Sequence, residues 1–215
     1  MSVGAALRHA LRDVYEQSWR LVLLNTGLSA VVLAVLVLGS YAPVALVLGI
    51  GIGPLVAAVM HCAVSLVQDE ELRLESAVEG LRLHWLRGLQ LAALTGVVVL
   101  AGVVAVRSYG SAGTLAWPFA FVAAYLLALF LVYQLVLWPL AVVERDRPLW
   151  SLLADAGAAL LRRPAASIGL AVALLLINAL GAAAAVLPLL TVTIAYSFVA
   201  AARFALPPQL EEDRL

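Results

Sequence analysis

The chain has 215 residues, of which 65% are hydrophobic and 12% are charged, and its 13 basic and 13 acidic residues give a net charge of zero. Soluble domains carry about 25% charged residues, so a chain this apolar belongs in a lipid bilayer. The zero net charge gives no support for nucleic-acid binding. The single cysteine excludes an intramolecular disulfide and a CxxC metal site.

The chain begins with a segment that alternates charged and apolar residues at helical spacing. Residues 5–20 therefore predict an amphipathic helix. The apolar run that follows, residues 21–38, is 18 residues long. The apolar stretch of a secretory signal has about 7–15 residues, so we expect this run to remain as a membrane anchor.

Six apolar segments are predicted to cross the membrane, because a spanning helix needs about 20 residues. They are residues 21–39, 43–67, 88–106, 117–143, 166–183 and 186–206. The last two follow each other without a charge between them. A single helix over 166–206 would be about 60 Å long, roughly twice the hydrocarbon thickness, so we expect a turn at 181–188.

Charge is confined to one side of these spans. Arg107 is the one charged residue in the connections on the other side. All other arginines and all acidic residues lie in the N-terminal segment, in 68–87, in 144–165 or from Arg203 onward. Positively charged flanks remain in the cytoplasm. We therefore expect a multi-pass protein of the bacterial inner membrane with both termini in the cytoplasm.

The charged segments suggest an internal repeat. Three amphipathic segments, 5–20, 73–87 and 149–161, each lead through an arginine into a span. The matching arginines are Arg20, Arg87 and Arg163. We predict an all-α, polytopic integral membrane bundle of six transmembrane helices in three hairpins, each preceded by a cytoplasmic amphipathic helix. The chain, 1–215, would be a single transmembrane domain with repeat units 5–67, 73–143 and 149–206.

His61 lies in a row of small residues on the second span. Gly49, Gly53, Ala57 and His61 follow one another at a spacing of four, and small residues at this spacing let helices approach closely in lipid. We therefore expect His61 to face a neighbouring helix. Cys62 is rotated by about 100° and is expected to pack as a small apolar residue. No metal site is expected, because the other histidines lie in cytoplasmic segments.

Uncharged polar groups inside the spans are the candidate ligand contacts. Gln134 and Asn178 either bond a neighbouring helix or line a polar cavity. His61 has the same two alternatives. Three tyrosines in the spans offer aromatic faces to a sugar, and Arg107 on the outer face is a further candidate for a solute. The tyrosines are Tyr125, Tyr133 and Tyr196.

No motif predicts catalysis. The stretch Gly49–Gly53 has neither the spacing nor the preceding strand of a phosphate-binding loop. The acidic run Asp69–Glu71 is typical of a solvated helix start, where the helix dipole favours acids. No nucleophile motif or paired carboxylate is present. We therefore expect neither an enzyme nor a cofactor, and no catalytic or cofactor-binding residues.

Two long stretches resemble the YesL-like family of small bacterial membrane proteins. The first, 53–89, runs from Gly-Pro into an amphipathic segment that contains a tryptophan. The second, 127–164, leads from a span through a charged turn to Arg-Arg-Pro. The similarity extends over about 15–206. It implies a polytopic membrane protein associated with carbohydrate uptake or utilisation, and it supplies no catalytic residues.

Several functions fit these features. The first is a non-enzymatic accessory to the uptake of carbohydrate or another solute. The second is a small substrate-binding membrane subunit of an ATP-driven importer. The third is a structural or regulatory protein whose cytoplasmic helices dock a partner such as an ATPase, since 75–80 and 153–164 resemble helices by which transporter subunits engage one. An oligomeric pore is a fourth, although no selectivity filter or charged ring is recognisable. The expected partners are the lipid bilayer, a transporter or ATPase, and further copies of the chain.

The predicted topology is testable by cysteine labelling of intact cells. In a Cys62→Ala background, Ser40→Cys and Ser111→Cys should react with an impermeant thiol reagent from outside, because both lie in the poorly charged connections. Ser76→Cys should not react until the cells are opened. Labelling of Ser76→Cys alone in intact cells would contradict the topology.

Overall fold

The computed structural model describes residues 2–69, 72, 74–183 and 192–206. Within these residues the chain is all-α and forms eight α-helices. Their bounds are α1 Val3–Glu16, α2 Ser18–Tyr41, α3 Gly53–Asp69, α4 Leu74–Ser111, α5 Trp117–Val143, α6 Leu149–Arg162, α7 Pro164–Ala183 and α8 Ile194–Ala205. Two 3₁₀ helices, Pro43–Ile52 and Thr114–Ala116, precede α3 and α5.

Five helical segments are long and apolar enough to cross a membrane, as expected of a membrane protein. They are Trp19–Tyr41, Val47–Asp69, Glu75–Ser111, Thr114–Val143 and Pro164–Ala183. The predicted sixth span, 186–206, lies partly outside the described residues. Its described part, 192–206, contains α8, which has 12 residues and is about 18 Å long. The predicted turn at 181–188 also lies largely outside them.

The amphipathic segments join their spans in two different ways. Helix α1 ends before Gln17, and α6 ends before Arg163, which precedes Pro164 and leaves helical geometry. Helix α4 instead continues without a break, so the predicted amphipathic helix 73–87 and the predicted span 88–106 form one helix of 38 residues. No proline interrupts it, and glycine costs only about 1 kcal/mol relative to alanine in a helix.

Helices α3, α5 and α8 contact one another at the centre of the bundle. Half of the residues in the most apolar stretch of the span that contains α3 are buried, whereas 6% are buried in the corresponding stretch of α4. Large apolar side chains on α2, α4, α5 and α7 point outward, as expected for surfaces that face acyl chains. The outward-facing side chains include Leu36, Val97, Phe121 and Leu175.

The closest helix contact joins α3 and α4. A Cβ atom added to Gly53 would lie 2.2 Å from the carbonyl oxygen of Gly88, so the two backbones touch. Two turns further along α3, His61 covers Gly80, where an added Cβ would lie 2.8 Å from the Cβ of His61. The helices are thus antiparallel. Glycine faces glycine at the first contact, and Gly80 faces His61 at the second. Such close approach gives the dispersion contacts that hold helices together in lipid.

Alanine at Gly88 should open this contact. Its Cβ would lie 2.7 Å from backbone atoms of Gly53 and Pro54, which cannot rotate away, and overpacking typically costs about 1–3 kcal/mol. Gly96→Ala is the matched control, since nothing lies within 4 Å of that Cβ position on the same helix. We expect Gly88→Ala to melt at lower temperature than wild type in detergent, and Gly96→Ala to melt at the same or higher temperature. Equal melting temperatures for the two variants would contradict the close contact.

Candidate functional site

A cavity of about 330 Å³ lies where α3, α5, α7 and α8 meet. This volume falls at the lower end of the range for small-molecule sites, about 300–1,000 Å³. Seven of the lining residues are apolar and three are polar. They are Val56, Met60, Leu135, Trp138, Ile194, Phe198 and Ala201, with Gln134, Asn178 and Ser197. The structure thus brings together Gln134 and Asn178, two of the predicted ligand contacts.

Gln134 is held in a fixed orientation by a threonine on α4. Its Nε2 donates to the hydroxyl oxygen of Thr95 at 3.1 Å. The Thr95 hydroxyl in turn donates its one hydrogen to the carbonyl of Leu91 at 2.7 Å. Because that hydroxyl can only accept from Gln134, the amide nitrogen must face it. The Gln134 side chain is buried, and its Oε1 accepts no hydrogen bond from the described residues.

Asn178 is oriented by the same logic. Its Nδ2 donates to the Leu174 carbonyl and to the Ser197 hydroxyl oxygen, both at 2.8 Å. The Ser197 hydroxyl donates to the carbonyl of Thr193 at 2.8 Å. Both neighbours of the Asn178 amide therefore accept, which fixes the nitrogen toward them. The Oδ1 atom is buried and meets no donor within the described part of the chain.

The cavity is therefore apolar, and two of its lining residues, Gln134 and Asn178, carry a buried carbonyl oxygen that meets no donor among the described residues. No charged residue of the described chain lines it. A buried acceptor without a donor costs about 1–3 kcal/mol, and native structures keep such groups rarely. Both oxygens are fully buried, so the surface that the cavity offers to a solute is largely apolar.

His61 lies away from this cavity. Its ring centroid is 5.2 Å from that of His84 on α4, and the two rings are tilted by 45°. The sequence placed His84 in a separate cytoplasmic segment, and the unbroken α4 is what brings it to His61. Among the described residues, no group of three or more His, Cys, Asp or Glu side chains is placed to hold a metal ion. Cys62 is fully buried.

The tyrosines predicted to meet a ligand take other positions. The Tyr133 hydroxyl donates to the Leu153 carbonyl of α6 at 2.7 Å. The Tyr196 hydroxyl donates to the Leu7 carbonyl of α1 at 3.0 Å. These two side chains join neighbouring helices, and Tyr125 is 66% exposed on α5. None of the three lines the cavity.

The remaining predicted residues also lie outside the cavity. Arg107 is exposed near the end of α4. Gly49 faces Val35 of α2, whose Cγ1 lies 4.0 Å from an added Cβ. Ala57 is buried on α3, in the same row as Gly53. Gly53 and Ala57 thus belong to the helix-packing surface of α3.

Several lining residues were not singled out in the sequence. Ser197 completes the Asn178 network, and Trp138 and Phe198 supply aromatic walls. The signal that could have found Ser197 is a hydroxyl inside an apolar segment, which bonds the backbone carbonyl one turn back, as Thr95 does. Comparison with known proteins finds no matching family model, no matching curated protein and no matching solved structure.

Removing the Gln134 amide should not destabilise the protein. Gln134→Leu loses one interhelical hydrogen bond, worth about 0.6 kcal/mol on average in lipid, and also removes a buried acceptor that costs about 1–3 kcal/mol. We expect the melting temperature in detergent, without added solute, to stay equal or to rise. Thr95→Val should lower the melting temperature, because it removes the hydroxyl that accepts from Gln134 and leaves the whole amide buried. If Gln134→Leu lowers the free energy of unfolding by more than about 1 kcal/mol, the amide has a purely structural role.

Proposed function

We propose that the protein is a non-enzymatic membrane protein that assists solute uptake and holds its solute in the cavity between α3, α5, α7 and α8. The observation that carries the proposal is an apolar cavity between four helices whose lining includes two amide side chains from different helices, Gln134 and Asn178. Ligand sites are typically apolar pockets with a few convergent polar groups between the helices of a bundle. This cavity has that composition.

The cavity supports a solute with an apolar body better than it supports a free sugar. Three polar side chains line it, and two of their groups already bond each other. A sugar would bury many hydroxyls without partners, each at a cost of about 1–3 kcal/mol. The resemblance to the YesL-like family is therefore the sole support for a role in carbohydrate uptake.

We further propose six spans arranged as three related hairpins. The central helices α3, α5 and α8 would be the second spans of the units, and they contact one another. A tyrosine of α8 donates a hydrogen bond to a carbonyl of α1, and a tyrosine of α5 donates one to a carbonyl of α6. In both cases the tyrosine belongs to a second span, and the accepting carbonyl belongs to the fifth residue of its helix. Equivalent bonds at equivalent positions support a repeat.

The matching arginines support the same arrangement. Arg20 donates to the carbonyl of Leu72, which follows α3. Arg87 donates to the carbonyls of Arg145 and Arg147, which follow α5. In both cases the arginine that opens the first span of a hairpin holds the segment that follows its second span. The unbroken α4 is the departure from the pattern, because the other two units break before or at the matching residue.

We also propose that both termini face the cytoplasm of a bacterial inner membrane, on the grounds of the one-sided charge. The charged side includes a partly buried pair, Asp13 of α1 and Arg203 of α8, joined by two hydrogen bonds of 2.9 and 3.0 Å. This pair would fix α1 against the inner end of α8. Two charges that neutralise each other this closely are compatible with a position at the edge of the bilayer.

Docking of a cytoplasmic partner is the alternative that a specific observation favours. Trp150 and Leu161 on α6 are 81% and 80% exposed. They are 11 residues apart, which places them on one face of the helix. An ATPase or a transporter subunit would bind through this face. A substrate-binding subunit of an ATP-driven importer would use both this face and the cavity.

Uptake by cells tests the cavity against the docking face. Deletion of the gene should lower the uptake of at least one labelled solute from a panel that includes oligosaccharides and amphipathic molecules. Wild type and Ala128→Phe, on an exposed position of α5, should restore it. Ala201→Phe, which fills the cavity, should not restore it at equal protein level in the membrane.

Unchanged uptake after deletion would end the proposal. Full restoration by Ala201→Phe would remove the cavity from it. Loss of restoration by a Trp150→Ala, Leu161→Ala double variant, with Ala201→Phe active, would favour the docking alternative.

A further inference from the structure

Helix α6 packs against the membrane spans inside their ends. Its buried residues Leu152 and Ala156 contact a cluster that includes Leu91 of α4 and Leu137 of α5. Leu91 lies three residues into the predicted span 88–106, and Leu137 lies six residues before the end of α5, which corresponds to about 5 and 9 Å of helix. An interfacial helix has its apolar face about 5–10 Å into the boundary between headgroups and acyl chains. Helix α6 lies at this depth.

The neighbouring chain holds α6 at the boundary. Helix α6 begins at the sixth residue after the end of α5, and Arg163 alone separates it from α7. Both neighbours are long and apolar enough to cross a membrane. The Tyr133 hydroxyl donates to the Leu153 carbonyl at 2.7 Å, which joins α6 to α5 ten residues before α5 ends. The helix therefore follows the bilayer boundary and does not project away from it.

The outward face of α6 is apolar. Four exposed residues that lie within about 80° of one another around the helix form this face. They are Trp150, Ala154, Ala158 and Leu161. At the depth of α6 such a face contacts acyl chains, and tryptophan is enriched at this boundary. The depth of the helix therefore favours lipid over a cytoplasmic protein as the occupant of this face.

Two arginines at the end of α6 add a preference for charge. Arg162 and Arg163 are exposed, and neither guanidinium bonds another residue of the described chain. The one acidic residue of α6, Asp155, is already paired with Arg147 at 2.7 Å. A guanidinium binds phosphate through two parallel hydrogen bonds. The cationic group of a zwitterionic headgroup would repel the arginines, whereas an anionic headgroup attracts them.

We propose that α6 is an interfacial helix that inserts its outward face into the bilayer and binds an anionic phospholipid through Arg162 and Arg163. The inference goes beyond solute binding and does not depend on the cavity. It takes from the proposed function only the orientation, which makes this leaflet the inner one. Both leaflets of a nanodisc have the same composition, so a test in nanodiscs does not depend on the orientation.

Thiol labelling shows what covers the outward face. In a Cys62→Ala background, Ala158→Cys lies on this face, and Asp146→Cys lies in the preceding turn, where the side chain is 98% exposed. We expect a charged, impermeant maleimide to react with Asp146→Cys about tenfold faster, because the acyl region excludes charge. The difference should appear both in inside-out membrane vesicles and with the purified full-length protein in nanodiscs.

Equal labelling rates in nanodiscs would overturn the proposal. If Ala158→Cys is protected in vesicles and loses this protection in nanodiscs, a protein partner covers the face instead of lipid.

Fluorescence quenching identifies the headgroup beside the arginines. A bimane fluorophore on Ala158→Cys lies one turn from Arg162, and a nitroxide on a lipid acyl chain quenches it at short range. Nitroxide-labelled phosphatidylglycerol or phosphatidylcholine is added to nanodiscs of unlabelled phosphatidylcholine. We expect half-maximal quenching at a mole fraction about tenfold lower for phosphatidylglycerol, the scale expected for arginines beside an anionic lipid.

Charge variants assign this preference to the two arginines. The Arg162→Gln, Arg163→Gln double variant should respond equally to both lipids. The Arg162→Lys, Arg163→Lys double variant keeps the charge and should keep a preference for phosphatidylglycerol. Arg107→Gln, at an exposed arginine near the other end of the spans, should behave as wild type. Equal quenching by both lipids in wild type, or a preference that survives the glutamine variant, would overturn the headgroup assignment.

Discussion

The close approach of α3 and α4 at Gly53 and Gly88 determines where the other helices lie. Lipid tails are as apolar as leucine, so helices in a membrane gain little from hiding apolar surface and depend on tight contact instead. Gly53 and Gly88 let the two backbones touch, and two turns further along α3 the side chain of His61 packs on Gly80. This contact holds α3 at the centre, where Val56 and Met60 reach the cavity.

The same contact sets the polar interactions of the site. With α4 fixed against α3, Thr95 lies where it accepts from Gln134 of α5. Ser197 does the same for Asn178 on the other side of the cavity. Each hydroxyl donates to the backbone carbonyl one turn back and accepts a hydrogen bond from the amide of a neighbouring helix. The two amide carbonyl oxygens remain buried without a donor among the described residues.

The sequence predicts the features of the structure that depend on composition. It does not predict which faces of two helices meet. Hydropathy identifies the long apolar helices, and the isolated amides Gln134 and Asn178 stand out because polar groups are expensive in lipid. The end of the charged segment at Arg87 marks a change in polarity, but the helix continues through it, since nothing in 74–111 forces a break. The approach of His84 to His61 depends on that continuity. No local pattern in either helix predicts such a contact.

The account depends on an accessible cavity behind Gln134 and Asn178, and thiol reactivity tests this most directly. Ser197 lines the cavity, whereas Ala200, one turn along the same helix, is fully buried among other helices. In a Cys62→Ala background, Ser197→Cys should react with a small membrane-permeant maleimide much faster than Ala200→Cys. Equal rates at the two positions would contradict the account.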